Sequence, residues 1–201
     1  VGYVCGLFQT SYIYGKRSGI DIREHGSGNA GTTNALRTLG KKAGALTLLG
    51  DCLKCVLAVL ITRLLFGTHQ GTDLLALELY AGAGCILGHN FPFYLKFKGG
   101  KGIAASVGLL LAFDIRIFPI CAVLFFATFF LTHYVSLSSL LAYLGFLISV
   151  VTFGQMGMLD CTQPVLGLSA GLTILAYWRH RQNIVRLMHG NENKIYLGKK
   201  R

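Results

Sequence analysis

Two lysines and three glycines lie within six positions of the sequence, in the stretch FKGGKG at residues 97–102. Glycine-rich turns that carry a lysine bring backbone N–H groups and an ammonium group around phosphate. The spacing GxxxxGK[ST] of the Walker A motif is absent, so this is a different kind of loop. Consecutive glycines cost backbone entropy and cover no apolar surface. The stretch 98–102 therefore indicates a loop whose backbone closely approaches an anion.

Aromatic side chains and a lysine precede this loop, in the stretch FPFYLKF at residues 91–97. Such alternation is typical of the belt that anchors a membrane protein at the lipid–water interface. We expect Phe91, Phe93, Tyr94, Phe97 and Lys96 to serve that purpose without a ligand.

A second polar block, residues 21–37, combines spaced glycines with hydroxyl groups, amides and arginine. The pattern predicts a helix from about Thr32 onward. A loop that feeds a helix start directs N–H groups and partial positive charge at an anion, and Arg37 adds a two-pronged donor. A glycine-rich turn beside a membrane helix, with polar caps, explains the same residues, and both interpretations stay open.

A third polar block, residues 179–192, follows the last apolar segment. In a helix, His180 and Asn183 share a face, with Arg179 and Arg186 close beside it. A basic amphipathic helix on anionic lipid is the alternative. His180 and Asn183 add nothing to lipid binding, but they suit a site that handles phosphate and a proton.

The composition is that of an integral membrane protein. The 201 residues are 53% hydrophobic and 13% charged, with a mean hydropathy of +0.55. There are 19 Lys and Arg against 8 Asp and Glu, which indicates a membrane face that meets anions. Cys52 and Cys55 match CxxC but lie in an apolar run without further ligands, so we expect neither a metal nor a redox role. No secretory signal peptide is identified.

Seven segments carry few charges and are candidate membrane spans, with five or six as alternative counts. Asp51 and Lys54 lie inside the second segment, where charges are expensive, so they pair together or face a polar cavity. Gly82, Gly84 and Gly88 give the third segment a small-residue face for close packing. The segments are 1–15, 43–66, 72–95, 102–113, 117–132, 137–154 and 164–178.

The distribution of positive charge predicts the orientation of these spans. With seven spans and the N-terminus outside, sixteen of the 19 Lys and Arg fall on the cytoplasmic side. This topology puts the C-terminus and all three polar blocks at the cytoplasmic face. We expect an all-α protein that forms one polytopic membrane domain over residues 1–201, with a shared site at that face.

Three motifs, SGNAGTTNALR (27–37), GHNFPFYLKFKGGKG (88–102) and HRQNIVRLMHGNE (180–192), resemble those of the bacterial acyl-phosphate:glycerol-3-phosphate acyltransferases. Their order and spacing agree, and the resemblance covers nearly the whole chain. It implies a seven-span helical enzyme of the bacterial cell membrane with its motifs on the cytoplasmic side. That enzyme transfers a fatty acyl group from acyl-phosphate to glycerol 3-phosphate, giving lysophosphatidic acid and phosphate. No cofactor, metal, nucleic acid or obligatory protein partner is expected.

The resemblance also implies the residues of the site. Glu192 matches a family glutamate that we interpret as structural, pairing with a nearby arginine. For Ser136, a helix N-cap is the alternative to a polar site residue. The implied catalytic residues are Ser27, Lys101, His180 and Asn183. The implied binding residues are Ser27, Gly28, Asn29, Asn34, Arg37, Lys98, Gly99, Gly100, Lys101, Gly102, Ser136 and Arg181.

The chemistry of the expected reaction suits these residue types. An acyl-phosphate is an activated mixed anhydride, so the enzyme needs no covalent intermediate and has only to orient the hydroxyl and neutralise charge. His180 is the candidate general base, and a substrate phosphate oxygen is the alternative proton acceptor, which we favour. A small carrier for phosphorylated metabolites is the rival function, but its polar groups belong near the bilayer midplane.

Overall fold

The computed structural model describes residues 1–71 and 73–196, and every regular element in that part of the chain is helical. The prediction of an all-α protein is confirmed. Three of the basic residues counted for the topology, Lys199, Lys200 and Arg201, lie outside the described residues. The helices are α1 (Gly2–Gly6), α2 (Thr10–Arg17), α3 (Thr32–Phe66), α4 (Leu74–Asn90), α5 (Ile103–Phe113), α6 (Ile117–Thr132), α7 (Val135–Gln155), α8 (Gln163–Arg179) and α9 (Arg181–Met188), with short 3-10 turns at Ile22–Glu24 and Phe93–Leu95.

Each apolar segment found in the sequence coincides with a helix or, for the first segment, with a pair of helices. Within the described ranges, only α3 and α7 are long and apolar enough to cross a membrane by length and composition alone. Helices α5 and α6 are apolar but shorter. They are separate helices, because the chain turns at Asp114, which is in extended conformation.

The chain forms two compact units. The first comprises Val1–Asp114 and the second begins at Ile115. The first unit holds α1 to α5, and the second holds α6 to α9.

Small residues allow close helix packing in the first unit. A Cβ atom built on Gly88 would overlap the carbonyl oxygen of Tyr3 in α1, and one on Gly84 would lie 3.1 Å from the backbone nitrogen of Tyr3. Gly82 faces α5, where a Cβ would overlap Leu109. The small-residue face predicted for the third segment is confirmed, and it serves two neighbouring helices.

The first apolar segment is broken between α1 and α2, which the sequence analysis did not predict. A break in a membrane segment leaves carbonyl groups without helical partners, and these need other donors. Three side chains supply them. Gln9 Nε2 donates to Gly6 O at 3.2 Å, Tyr94 Oη to Leu7 O at 2.7 Å, and Lys54 Nζ to Phe8 O at 2.6 Å.

Helix α3 is kinked at Gly40, whose φ of 86° is far from helical values. The kink separates a short polar piece that begins at Thr32 from the long apolar piece. Both the predicted helix start near Thr32 and the predicted span from residue 43 are therefore confirmed within one element. The short piece carries Asn34 and Arg37 of the first motif.

In the second unit, α6 and α7 pack against each other, and α8 packs on α7. His133, in left-handed conformation with φ 61°, ends α6 and allows the tight turn into α7. Tyr177 Oη of α8 donates to Leu140 O of α7 at 3.2 Å. This packing fixes the end of α8, from which the third motif starts.

Candidate active site

Asn34 shapes the loop of the first motif. It is buried in the first turn of α3, and its Nδ2 donates to the carbonyl oxygens of Ile22 at 3.0 Å and His25 at 2.9 Å. Its Oδ1 accepts the N–H of Ser27 at 2.9 Å. One amide therefore closes the loop at three points. These bonds involve both the oxygen and the nitrogen of the amide. That Asn34 also contacts a ligand stays a prediction.

Glycines let this loop turn back over Asn34. Gly26 and Gly28 have φ values of 59° and 69°, which favour glycine. A side chain on Gly26 would also overlap Asn34 Oδ1. The turn leaves Ser27 exposed at the tip of the loop, and Arg37 is exposed on the short piece of α3. A hydroxyl group and a guanidinium group are thus presented by the same rigid segment.

The loop of the second motif begins with strained backbone. Lys96 and Phe97 are consecutive non-glycine residues with positive φ, 55° and 59°. Lys98 is exposed and Lys101 is half-buried, whereas Gly99 and Gly100 between them are buried. The loop therefore exposes Lys98 while its two consecutive glycines face the protein.

The two glycines serve close packing. Gly99 N donates to Asn90 O at 3.2 Å, and Gly100 N donates to His89 O at 3.1 Å. A Cβ on Gly99 would overlap His89 O, and one on Gly100 would overlap His89 Nε2. The backbone that we expected to approach an anion thus approaches the end of α4, and its N–H groups donate to carbonyl oxygens. That Gly99, Gly100 and Gly102 belong to the binding site stays a prediction.

The first two motifs lie side by side within the first unit. The carbonyl oxygen of Ala30 would be 2.9 Å from a Cβ built on Gly100. Arg23 ties the two loops together as well, because its Nη1 donates to Leu95 O at 3.1 Å. Asp21 holds that guanidinium through a bond of 2.7 Å to Nη2. The structure therefore brings the two loops into contact, and that their basic and hydroxyl groups form one site stays a prediction.

His180 lies between α8 and α9 in the second unit and is buried, with 3% of its surface exposed. Its Nδ1 is 2.8 Å from the carbonyl oxygen of Ala176. A carbonyl oxygen only accepts hydrogen bonds, so Nδ1 carries the proton and Nε2 is the basic nitrogen. The ring is thus oriented by a backbone group, where the sequence offered no carboxylate to orient it.

Glu192 joins two residues of the third motif. Its carboxylate accepts from Asn183 Nδ2 and from Arg186 Nε, each at 2.9 Å. The predicted pairing of Glu192 with a nearby arginine is confirmed. The bond to Glu192 fixes the orientation of the Asn183 amide, which is buried.

The other two predicted residues of the second unit differ in exposure. Arg181 is exposed, stacks on the ring of Trp178 at 4.5 Å and donates to the carbonyl oxygen of Trp178. Ser136 is 6% exposed, and its hydroxyl group has no hydrogen-bond partner within the described residues. The N-cap of α7 is Tyr134, so the N-cap interpretation of Ser136 is wrong.

Asp51, Lys54 and His89 form a buried polar cluster beneath the second loop that the sequence analysis did not assign to the site. Asp51 and Lys54 pair at 2.8 Å, which was one of the two predicted outcomes. His89 joins them, with Nδ1 2.8 Å from Lys54 Nζ. Two charged residues in an apolar helix are costly, and this cost indicated that Asp51 and Lys54 have partners. No local sequence pattern linked the two residues to His89.

Fold and geometry define an all-helical membrane protein with two adjoining basic, glycine-rich loops and a third polar motif after its last long helix. The family model for glycerol-3-phosphate acyltransferase matches residues 1–190, and the chain belongs to that family of enzymes. The glycerol-3-phosphate acyltransferase of Clostridioides difficile is 42% identical over 199 residues, covering 97% of this chain and 92% of that protein. Glycerol-3-phosphate acyltransferase 3 of Bacillus anthracis is 40% identical over 202 residues, covering 100% of this chain and 94% of that protein.

Solved structures agree with this assignment. The crystal structure of PlsY (YgiH), an integral membrane glycerol 3-phosphate acyltransferase, in its glycerol 3-phosphate form, superposes with a TM-score of 0.84. It is 31% identical in sequence, and the match covers 97% of this chain and 92% of that chain. The lysophosphatidic acid form of the same enzyme gives a TM-score of 0.81 at 31% identity. The chain is thus an acyltransferase with an integral membrane fold.

Proposed function

We propose that this protein transfers a fatty acyl group from acyl-phosphate to glycerol 3-phosphate, giving lysophosphatidic acid and inorganic phosphate. The observation that carries the proposal is the junction of the two loops in the first unit, within a chain of this family. Ala30 beside Gly100, and Arg23 bonded to Leu95, keep the segments that bear Ser27, Lys98 and Lys101 together.

The reaction needs few chemical groups from the protein. A glycerol hydroxyl oxygen attacks the acyl carbonyl carbon, the carbon–oxygen bond to phosphate breaks, and the hydroxyl proton passes to a base. Because both substrates carry phosphate, the basic loops supply charge for binding and for the leaving group. We assign Arg37, Lys98, Lys101 and Arg181 to that charge, and Ser27, Gly28, Asn29, Asn34 and Ser136 to hydrogen bonding.

His180 and Asn183 are assigned to the same reaction on the resemblance of their motif. The bond from Nδ1 to Ala176 O makes Nε2 of His180 the acceptor nitrogen, which suits a general base. A phosphate oxygen of the substrate is the other acceptor. We now favour His180 as the proton acceptor. The sequence offered no carboxylate to orient its imidazole ring, but the carbonyl oxygen of Ala176 serves that purpose.

We further propose that the chain is a single polytopic domain with seven spans, in which the broken pair α1 and α2 counts as the first. The N-terminus then lies outside and the C-terminus in the cytoplasm. The distribution of Lys and Arg supports this orientation. It puts the reaction at the cytoplasmic face of the bacterial cell membrane.

The test is phosphate release from palmitoyl phosphate by the protein purified in detergent, with and without glycerol 3-phosphate. We expect release of phosphate together with formation of lysophosphatidic acid, and no transfer from palmitoyl coenzyme A. Lys101→Ala and Arg37→Ala should each lower kcat/KM at least about tenfold. Transfer from the coenzyme A ester alone would overturn the proposed donor, and unchanged rates in both variants would overturn the proposed site.

A further inference from the structure

Lys54 lies at the centre of the buried cluster beneath the second loop. Its ammonium group has three acceptors within hydrogen-bond distance: Phe8 O at 2.6 Å, Asp51 Oδ1 at 2.8 Å and His89 Nδ1 at 2.8 Å. Thr10 Oγ1 donates to the same oxygen of Asp51 at 3.1 Å. An ammonium group has three N–H bonds, so each is used, and the lysine of α3 joins the break before α2 to α4.

This arrangement fixes the imidazole ring of His89. Because the ammonium group only donates, His89 Nδ1 accepts, and the ring proton therefore resides on Nε2. The ring is 2% exposed, and rotation would remove an acceptor from a buried charge. The tautomer and the orientation of His89 are thus both determined by Lys54.

The opposite edge of the ring borders the glycine loop. His89 Nε2 occupies the position that a Cβ of Gly100 would need, and the carbonyl oxygen of His89 accepts the N–H of Gly100 at 3.1 Å. Side chain and backbone of one residue thus fix Gly100 from two directions. Lys101, the next residue, takes its position from Gly100.

We propose that Asp51, Lys54 and His89 are positioning residues, which act through the glycine loop to hold Lys98 and Lys101 where a phosphorylated substrate binds. The inference rests on the proposed function. The alternative is that the cluster only closes the break between α1 and α2. In that case the cluster affects folding and leaves substrate binding by the folded protein unchanged.

Two variants of His89 separate these roles. In His89→Asn, the amide oxygen replaces Nδ1 as acceptor for Lys54, but nothing replaces Nε2 beside Gly100. In His89→Gln, the amide reaches the place of Nε2, but the acceptor for Lys54 is lost. Loop positioning predicts that His89→Asn raises KM for one of the two phosphorylated substrates by about tenfold, with a melting temperature close to that of the wild type. It also predicts that His89→Gln keeps KM closer to the wild-type value while it melts lower.

A double substitution tests the cluster as a unit without leaving a lone charge. Asp51→Asn with Lys54→Met removes both charges of the buried pair together. We expect a smaller rise in KM than in His89→Asn, because the imidazole stays beside Gly100 but loses its fixed orientation. When the three substitutions are combined, KM should not rise beyond that of His89→Asn. Additive effects on KM would contradict a single positioning unit.

The control is the ion pair of exposed Arg63 with buried Glu78, in which Arg63 Nε lies 2.6 Å from Glu78 Oε1. Glu78 lies eleven residues before His89 in α4, about 16 Å along the helix. Glu78→Gln should lower the melting temperature and leave both KM values unchanged. If the His89 variants only lower stability, as this control does, the positioning role is wrong. If the wild type transfers no acyl group, the proposed function itself fails.

Discussion

His180 donates its Nδ1 proton to the carbonyl oxygen of Ala176, one helical turn earlier in the chain, at 2.8 Å. If the lone pair of Nε2 takes the proton of the attacking hydroxyl, His180→Asn should lower kcat about 100-fold and change KM little. Steady-state kinetics of the wild type and the variant under the same conditions check this.

His189 provides the control, because it makes the same kind of bond, from Nδ1 to Val185 O at 2.7 Å, but is exposed. His189→Asn should keep wild-type kinetics. If His180→Asn retains more than about a third of kcat, the substrate phosphate is the proton acceptor.

Replacing Asn34 should disorder the first loop. Asn34→Ala removes two donors and one acceptor and leaves backbone groups of Ile22, His25 and Ser27 without this partner. The carbonyl group of buried Ile22 then lacks this donor, which costs about 1–3 kcal/mol, so a lower melting temperature and a large loss of kcat/KM are expected. Asn191→Ala, at an exposed asparagine, is the control. Wild-type activity and stability in Asn34→Ala would show that the loop does not depend on this amide.

Gly100→Ala should abolish most activity while most of the helical structure remains. The added methyl group would overlap His89 Nε2 and lie 2.9 Å from Ala30 O, so the loop must move away from both. Gly171→Ala is the matched control, since a Cβ there has no neighbour within 4 Å and alanine favours helix. Circular dichroism and the acyltransfer assay, run on both variants, separate misfolding from a displaced loop.

Asp21→Asn should destabilise the protein in a pH-dependent way. The hydrogen-bonded Arg23 guanidinium holds the pKa of the Asp21 carboxyl well below its ordinary value of 3.8. A lowered pKa in the folded state means that the carboxylate stabilises the fold above about pH 4, and that this contribution is lost as the pH falls through the folded-state pKa. The difference in melting temperature between wild type and variant should be constant from pH 5 to 7 and narrow below pH 4.

Asp160→Asn, at an exposed carboxyl group, should show no such pH dependence. If the melting temperature of Asp21→Asn stays below that of the wild type by the same amount down to pH 3, the negative charge of Asp21 does not explain the loss of stability.

Local patterns predicted much of this molecule because its helices and loops have local causes. Apolar runs located the helices, the polar start of α3 was visible at Thr32, and the charge of Asp51 required a partner, which is Lys54. The break between α1 and α2 was missed, because its carbonyl groups depend on Lys54 and Tyr94, which are distant in sequence.

Within the candidate site, the contacts of several residues differ from those that the sequence predicted. The pair Gly99–Gly100 was expected to donate to an anion, but both N–H groups donate to carbonyl oxygens at the end of α4. Asn34 was expected to bind a ligand, and its amide is occupied by the loop. The hydrogen-bond partner of each of these groups is a backbone group that the fold brings next to it. The spacing of residues along the chain does not reveal that partner.

The break after α1 has a consequence for how the chain enters the bilayer. Its exposed carbonyl groups need Lys54 and Tyr94, which are synthesised later, so the first segment cannot reach its final form when it leaves the ribosome. Asp51 and Lys54, three residues apart on one helix, can pair as soon as that helix forms, which lowers the cost of their charges in an apolar segment. The hydrogen bonds that close the break between α1 and α2 can therefore form only after residue 94 has been synthesised.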